Sequence, residues 1–395
     1  MRIAFYAPLK HPDHPVPSGD REMGRLLGVA LQRAGFHVEI ASRFRSFDGH
    51  GDHQRQIRIQ RLGQRLAHRL VRYYQHGASE ARPRLWFTYH VYHKAPDWLG
   101  PHVSRALGIP YVIAEASHAP KQSHGPWAHG HTAAQSAISQ ADLIIGLNSA
   151  DAECVLPLLD PPSRWLRLRP FMDVAAFNKD PEDRSAERQS LANRYDLDTE
   201  EPLLITVAMM RPGAKLASYR LLARALTMIV SRPWRLLVIG DGPARQAVMT
   251  CLAPIQDRVI GFGQLSPRDI HRVLAASDLF VWPAIDEAYG MALLEAQAAG
   301  VPCVAGRTGG VPDVVCHNKT GLLVPINHPE AFAQAVSRLL DHPTRLQALG
   351  AQARENAVAR HSLDDAATRL GHALDDLIGK RPSAFSTSPA DRERN

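Results

Sequence analysis

The chain has 395 residues, 45% of them hydrophobic and 22% charged. That is the composition of folded, water-facing protein, and the length is enough for two or three domains, each with its own core. No run approaches the roughly 20 apolar residues of a membrane span. The net charge of +7 is concentrated between Arg43 and Arg84 and comes without zinc-finger spacing, an RNA-binding aromatic motif or a helix-turn-helix pattern, which argues against nucleic acid.

Short apolar runs then alternate with helical patterns along the chain. "RIAFYAPL" at the start is too short and too quickly polar for a signal peptide and reads as a first strand. "REMGRLLGVALQRAG" is an amphipathic helix stopped at Gly35, and "FHVEIAS", "LWFTYHV", "IPYVIAEAS" and "ADLIIGLN" are further strands. A polar segment from Asn178 to about Glu201 holds one short helix, "SAERQSLANRYD". The alternation restarts with the strand "PLLITVAMM" and the helix "LASYRLLARALTMIV". The strands "RLLVIGDG", "DRVIGFG", "DLFVWPA" and "PCVAGR" follow, then three closing helices that end near Gly379. From Lys380 onward apolar periodicity is absent, and disorder is expected. Alternating strands and helices imply parallel sheets, and two such halves bind ligands in a cleft at their strand ends. The cysteines Cys154, Cys251, Cys303 and Cys316 lack metal-ligand spacing and fit reduced thiols in a cytoplasmic enzyme.

The most informative stretch is "DEAYGMALLEAQAAGVPCVAGRTGGVPDVV", from Asp286 to Val315. It reads as a strand-end loop opening a helix at Gly290. The amides of Gly290 and Met291 lie at that helix start, where unpaired N–H groups and the helix dipole attract an anion. Glu287 just before it can accept hydrogen bonds from polyol hydroxyls, and Glu295, about one turn inside, can reach a second diol. A molecule with hydroxyls at both ends and phosphates between them, a nucleotide sugar, suits this set. Taken alone, the two glutamates read more simply as a helix-start acid and a solvated helix face.

The order Pro283, Glu287, Tyr289-Gly290, Glu295-Ala296, Gly300-Val301-Pro302, Gly309-Gly310-Val311-Pro312, followed by "TGLLVP", resembles the signature of GT-B glycosyltransferases, most closely glycosyltransferase family 4. "LLVIGDGPAR", "RVIGFGQLSPRDIHRVLAASDLFVWP" and "VAMMRPGAK" extend the likeness upstream, so that it covers most of residues 200–340 well and the N-terminal half weakly. The resemblance implies an α/β GT-B fold of two Rossmann-like domains facing a central cleft. The expected parts are an acceptor-side domain over residues 1–175, a donor domain over 176–360, a helix over 361–379 crossing back, and a disordered tail over 380–395. It implies retaining transfer of a sugar from a UDP- or GDP-linked donor to a hydroxyl acceptor, with no metal and no other cofactor. Arg211 and Lys215 would meet the diphosphate, Gly263 the base, Glu287 the sugar hydroxyls and Glu295 the ribose. Here Lys215 is followed by Leu216, where the family usually has Lys-Gly, and it stands one residue closer to the arginine.

In the N-terminal half Gly19 matches one glycine of a family loop that faces the transferred sugar. Ser18-Gly19-Asp20 also reads as an ordinary helix cap. Histidines crowd "HVYH" (His90 and His93) and "AEASHAPKQSHGPWAHGH". His118 best matches a family histidine near the sugar, with His93 second; either also fits a polar loop, and a zinc cluster lacks ordered spacing. In "IRIQRLGQRLAHRLVRYY", Ile59, Leu62, Leu66, Leu70 and Tyr73 form one helical stripe, and Arg58, Arg61, Arg65, Arg69 and Arg72 the next. Such a helix is either a solvated basic face or a docking face for an anionic membrane, which would place the protein in the cytoplasm or peripherally at the inner membrane face. Two alternative functions stay open, another GT-B enzyme such as a sugar epimerase and a catalytically silent subunit that binds sugar nucleotides.

Overall fold

The computed structural model describes residues 1–16, 18–177 and 181–380. The tail expected to be disordered lies, from residue 381 on, outside the described residues. The chain divides into two compact units, Met1–Arg169 with the segment from Leu363, and Pro170–Ser362.

The strands of the first unit are β1 (Arg2–Tyr6), β2 (His37–Ser42), β3 (Leu85–Val91), β4 (Tyr111–Ala116), β5 (Leu143–Gly146) and β6 (Trp165–Arg167). Its helices are α1 (Gly19–Arg33), α2 (His53–His76), α3 (Gly100–Leu107), α4 (Ala128–Gln140) and α5 (Ser149–Val155). The second unit has α6 (Pro181–Tyr195), then β7 (Leu203–Val207), α7 (Ala214–Thr227), β8 (Arg235–Ile239), α8 (Arg245–Leu252), β9 (Val259–Gly263), α9 (Pro267–Ala275) and β10 (Leu279–Trp282). It continues with α10 (Met291–Ala298), β11 (Cys303–Gly306), α11 (Val311–Val314), β12 (Gly321–Val324), α12 (Pro329–Leu340) and α13 (Pro343–Arg360). The last helix, α14 (Leu363–Gly379), belongs to the first unit. There it packs on α1, with Gly371 against Ala34 and an Arg33–Asp364 ion pair of 2.6 Å.

Each unit holds a six-stranded sheet, in the orders β2-β1-β3-β4-β5-β6 and β12-β11-β10-β7-β8-β9, with parallel pairing throughout. Parallel neighbours need crossover helices, which cover both faces and demand apolar residues on each. That is why "AFY" of β1 and "LLVI" of β8 are buried without alternation. In both sheets the order reverses once, at β1/β3 and at β7/β10. The crevice outside the carboxyl ends of the strands at such a reversal is the usual ligand position.

The first unit buries the carboxylates Asp48, Asp97 and Glu115. Asp97 accepts hydrogen bonds from Thr88 Oγ1, Tyr111 Oη and the amides of Leu99 and Gly100, at 2.6–2.8 Å. Burial still pushes its pKa up against those bonds.

The apolar stripe of α2 is seated only in part: Leu66 and Leu70 pack against the core, Leu62 and Tyr73 are exposed, and the fully buried residues are Gln56, Gly63, Ala67, Val71 and Tyr74. Small residues help decide this: a Cβ at Gly63 would stand 2.5 Å from that of Trp98, so the helix seats closely along Gly63 and Ala67, with Leu62 left outside the contact. Gln56 is buried because it bonds Asp48, the Pro126 carbonyl and the Gly130 amide. No described helix is long and apolar enough to cross a membrane.

Candidate active site

In the second unit the chain leaves β7 and turns at Gly213 (φ +83°) into α7, which places Lys215 in the first turn. It leaves β10 through a loop in which Ala284 (φ 55°) and Asp286 (φ 52°) hold left-handed backbone before Gly290 (φ 73°) opens α10. Non-glycine residues in sparsely populated regions cost about 1–3 kcal/mol each and concentrate at functional sites. These two segments meet across the β7/β10 reversal. Lys215 Nζ lies 2.5 Å from Glu287 Oε2, and Trp282 Nε1–H donates to the same oxygen at 3.2 Å. The ammonium also stands 5.4 Å from the Trp282 ring, a distance at which cation and π-face attract. Trp282 rests in turn on Tyr219 (5.1 Å), whose hydroxyl donates to the Ala208 carbonyl. Sequence reasoning treated Trp282 only as a strand residue. Its position, last in a buried strand with a polar edge to satisfy, was the available signal.

The Gly-Gly turn after β11 supports the same loop. A Cβ at Gly309 would lie 2.2 Å from the Glu287 carbonyl oxygen, and the Gly310 amide donates to the Ala288 carbonyl at 2.9 Å. The glycines thus let one loop lie directly on the backbone that carries Glu287. The Gly-Asp-Gly turn after β8 does likewise for the arginine segment. A Cβ at Gly240 would stand 2.0 Å from the Ala208 oxygen, and the Met210 amide donates to the Asp241 carbonyl.

Arg211 is exposed, and its guanidinium closes no ion pair or hydrogen bond on a described residue. The Leu216 amide donates to its carbonyl at 3.1 Å, so Arg211 immediately precedes the turn that seats Lys215. Met291 begins α10 and is half-buried. The Leu293 and Leu294 amides donate to the Gly290 carbonyl, which leaves those of Met291 and Ala292 as the helix's open amides. Glu295 is a turn further along and half-buried. The structure therefore brings Lys215 to Glu287, in the loop that leads into α10 through Gly290 and Met291, and places Arg211 just before the turn that seats Lys215. Gly263, at the end of β9, is two strands from β7 on the side away from β10, where its carbonyl accepts from the Gly240 amide.

In the first unit, Gly19 is the first residue of α1. A Cβ there would meet nothing within 4 Å, while Ser18 caps the helix by accepting from the Arg21 amide and from Lys10 Nζ. His118 lies after β4 with its ring 4.8 Å from His131, and burial pushes its pKa down. The His93 ring is 5.9 Å from Trp127, and burial, followed by the charges of Lys94, His131 and Lys121, pushes its pKa down to about 4. Neither bonds the start of α1. The histidine that does is His90, through Asp20 at 3.0 Å. Among the described residues no group of three or more His, Cys, Asp or Glu is placed to hold a metal ion.

Two parallel sheets, each with one order reversal, and a cation–carboxylate pair beside a helix start define the α/β two-domain fold of GT-B glycosyltransferases. Residues 201–342 match the family described as Glycosyl transferases group 1. The chain is 32% identical over 235 residues to a D-inositol 3-phosphate glycosyltransferase of Rhodococcus erythropolis, covering 56% of this chain and 51% of the relative. It is 33% identical over 220 residues to a GDP-mannose-dependent alpha-(1-6)-phosphatidylinositol monomannoside mannosyltransferase of Mycobacterium tuberculosis, covering 52% and 54%. The chain thus spans about half the length of these curated relatives. In fold it is similar to Anabaena HepE solved in complex with UDP, with a TM-score of 0.71 at 16% identity over 95% of this chain and all of that one.

Proposed function

We propose that the protein moves a sugar from a UDP- or GDP-linked donor to a hydroxyl of a polyol acceptor, with retention at the anomeric carbon. The observation that carries this reading is the Lys215–Glu287 pair at the β7/β10 reversal, beside the α10 start and an Arg211 whose guanidinium has no partner among the described residues. The donor diphosphate takes the place between Arg211, Lys215 and the first α10 amides, where its charge is met without a metal ion. Glu287 accepts from the sugar hydroxyls and Glu295 from the ribose. The bond from the anomeric carbon to the phosphate oxygen breaks and its electron pair leaves with the diphosphate. The acceptor oxygen bonds the anomeric carbon from the same face, and its proton passes to the departing phosphate oxygen. Fixed cations aimed at the charge that grows on the leaving group are the largest contribution such a site makes.

The outer face of α2 extends the reading to location. Arg58, Arg61, Arg65, Arg69 and Arg72 are exposed, the helix contains no acid, and Leu62 and Tyr73 stand exposed beside them. That combination complements an anionic bilayer at the cytoplasmic side, where a lipid-linked acceptor would be presented.

A panel of nucleotide sugars tests the reading, with hydrolysis and transfer measured in the presence of EDTA and nucleoside diphosphate binding measured by calorimetry. Transfer that survives chelation supports it. Epimerised sugar without transfer would make the protein an epimerase, and diphosphate binding with neither reaction would make it a silent subunit.

A further inference from the structure

The β1/β3 reversal of the first unit carries its own set of charged groups. His90 is the last residue but one of β3 and Glu115 that of β4, at facing positions between the register pairs Tyr89–Ala114 and Val91–Ala116. Both hold left-handed backbone, with φ 63° and 61°. Asp20 enters from the first turn of α1. His90 Nδ1 bonds Asp20 Oδ1 at 3.0 Å and stands 3.8 Å from Glu115 Oε1. Behind them Ser117 Oγ donates to Asp151 at 2.7 Å, and Lys10 reaches Ser18 at the helix start. Burial alone would push the His90 imidazole down; the Glu115 charge and the Asp20 hydrogen bond outweigh it and raise the pKa to about 9. His90 is therefore an imidazolium at neutral pH, and its Nε2–H has no acceptor among the described residues.

Tyr89 is 1% exposed and lies beside the pair: burial raises its pKa, and the charges of Glu115 and Asp20 with a side-chain hydrogen bond to Glu115 act in the same direction. The Tyr92 ring lies 4.9 Å from His90 and adds an apolar wall.

We infer that Asp20, His90 and Glu115 form a seat for the neutral, hydroxyl-bearing part of the acceptor, an inference that rests on the transfer reading above. His90 Nε2–H would donate to one ligand oxygen and the part-exposed Asp20 carboxylate would accept from a neighbouring hydroxyl, the pairing that a vicinal diol offers. Glu115 is a positioning residue that holds the imidazolium in place. Asp20, Glu115 and Asp151 outnumber His90 and Lys10, so a diphosphate is disfavoured here and an uncharged polyol is not.

The test uses the full chain with myo-inositol, an uncharged polyol, at tens of millimolar. Saturation-transfer NMR reads polyol binding, and calorimetry reads nucleoside diphosphate binding on the same samples. The seat predicts a signal in the wild type that falls several-fold in His90→Gln and Asp20→Asn while diphosphate affinity is unchanged. Asp20→Asn is isosteric and part-exposed, so it keeps the test decisive if the buried Glu115→Gln fails to fold. In a folded Glu115→Gln the alkaline loss of polyol binding should move to lower pH, because His90 then keeps only Asp20 and the more distant Asp151, with Lys10 opposing. An absent wild-type signal, or variants that bind inositol as the wild type does, overturns the seat. Loss of diphosphate binding and donor hydrolysis with the inositol signal intact would instead overturn the transfer reading and leave the seat standing.

Discussion

The two crevices of this molecule share a plan and differ in charge. Each lies where a parallel sheet reverses its strand order, and in each an ion pair joins the first turn of a helix to the end of a strand across the reversal. At β7/β10 the helix brings the cation, Lys215, and the strand-end loop brings the acid, Glu287. At β1/β3 the helix brings the acid, Asp20, and the strand brings the histidine. The second unit adds an exposed Arg211 and the open amides of α10, which make its crevice a place for an anion. The first adds Glu115 and Asp151, which make its crevice one for neutral oxygen. On the transfer reading, one fold plan used twice with opposite charge sorts a charged donor and an uncharged acceptor to different sheets.

The sharpest way to break this contrast is to remove the cations from the anion crevice. Arg211→Ala should lower transfer by about 10²–10³-fold, the scale of losing one donor to a developing oxyanion. Calorimetry should show weaker nucleoside diphosphate binding. Full activity with unchanged affinity would take Arg211 out of the site. Gly309→Ala attacks the support instead. Its Cβ would stand 2.2 Å from the Glu287 carbonyl, against backbone that cannot yield cheaply, so the loop carrying Glu287 must shift. Transfer should fall and stability drop by about 1–3 kcal/mol, read by denaturant unfolding with and without nucleotide.

The second crevice was largely legible in the sequence, and the first was not. Glu287, Gly290, Glu295 and the two glycines stand within one stretch whose local order already implies strand, corner and helix. The Lys215–Glu287 pair itself was not visible, because it depends on β7 and β10 lying side by side although α7, β8, α8, β9 and α9 separate them in the chain. In the first unit His90 stood out only as one of many histidines, and Asp20 only as part of a helix cap. Their meeting needs the strand order and two non-glycine residues with positive φ, which no residue type announces. On α2 the apolar stripe located the seam in part, since Leu66 and Leu70 pack on the core, but close approach at Gly63 and Ala67 left Leu62 and Tyr73 outside it.

Stability against pH tests the contrast within the first unit. His90, raised from 6.5 to about 9, stabilises the fold fully below pH 6.5, and that contribution is lost as the pH rises through about 9. The groups that hold it are Asp20 on α1, Glu115 on β4 and Asp151 on α5. For a histidine only 16% exposed the contribution is about 3 kcal/mol. His93 has the opposite sign. Its pKa is lowered from 6.5 to about 4, so its contribution is full above pH 6.5 and lost as the pH falls through about 4. Denaturant unfolding from pH 4 to 10 should therefore show stability falling on both sides of neutrality. In His90→Gln the alkaline decline should shrink while the acid decline remains. An unchanged alkaline limb would mean that the imidazolium is not held as described.

The smallest effect on the molecule itself should come from α2, outside both crevices. Arg61, Arg65 and Arg69 are exposed and close no ion pair on a described residue, so changing all three to glutamine should move stability by no more than about 0.5 kcal/mol per site. Donor binding should not change, because none of the three belongs to the second unit. Binding to vesicles rich in anionic lipid should nevertheless fall, since each basic residue near such a surface contributes about 1 kcal/mol. The wild type should bind strongly at low salt and less at physiological salt, where the Debye length is about 8 Å. Leu62 and Tyr73 sharpen the test, because apolar groups that enter the headgroup region are not screened. Leu62→Ser should therefore lower the binding that survives at high salt and leave the salt-sensitive part in place. If the wild type leaves vesicles completely as salt rises and Leu62→Ser changes nothing, the face meets lipid by charge alone. If it never sediments with vesicles even at low salt, α2 is a solvated surface and the acceptor has to reach the first crevice from solution.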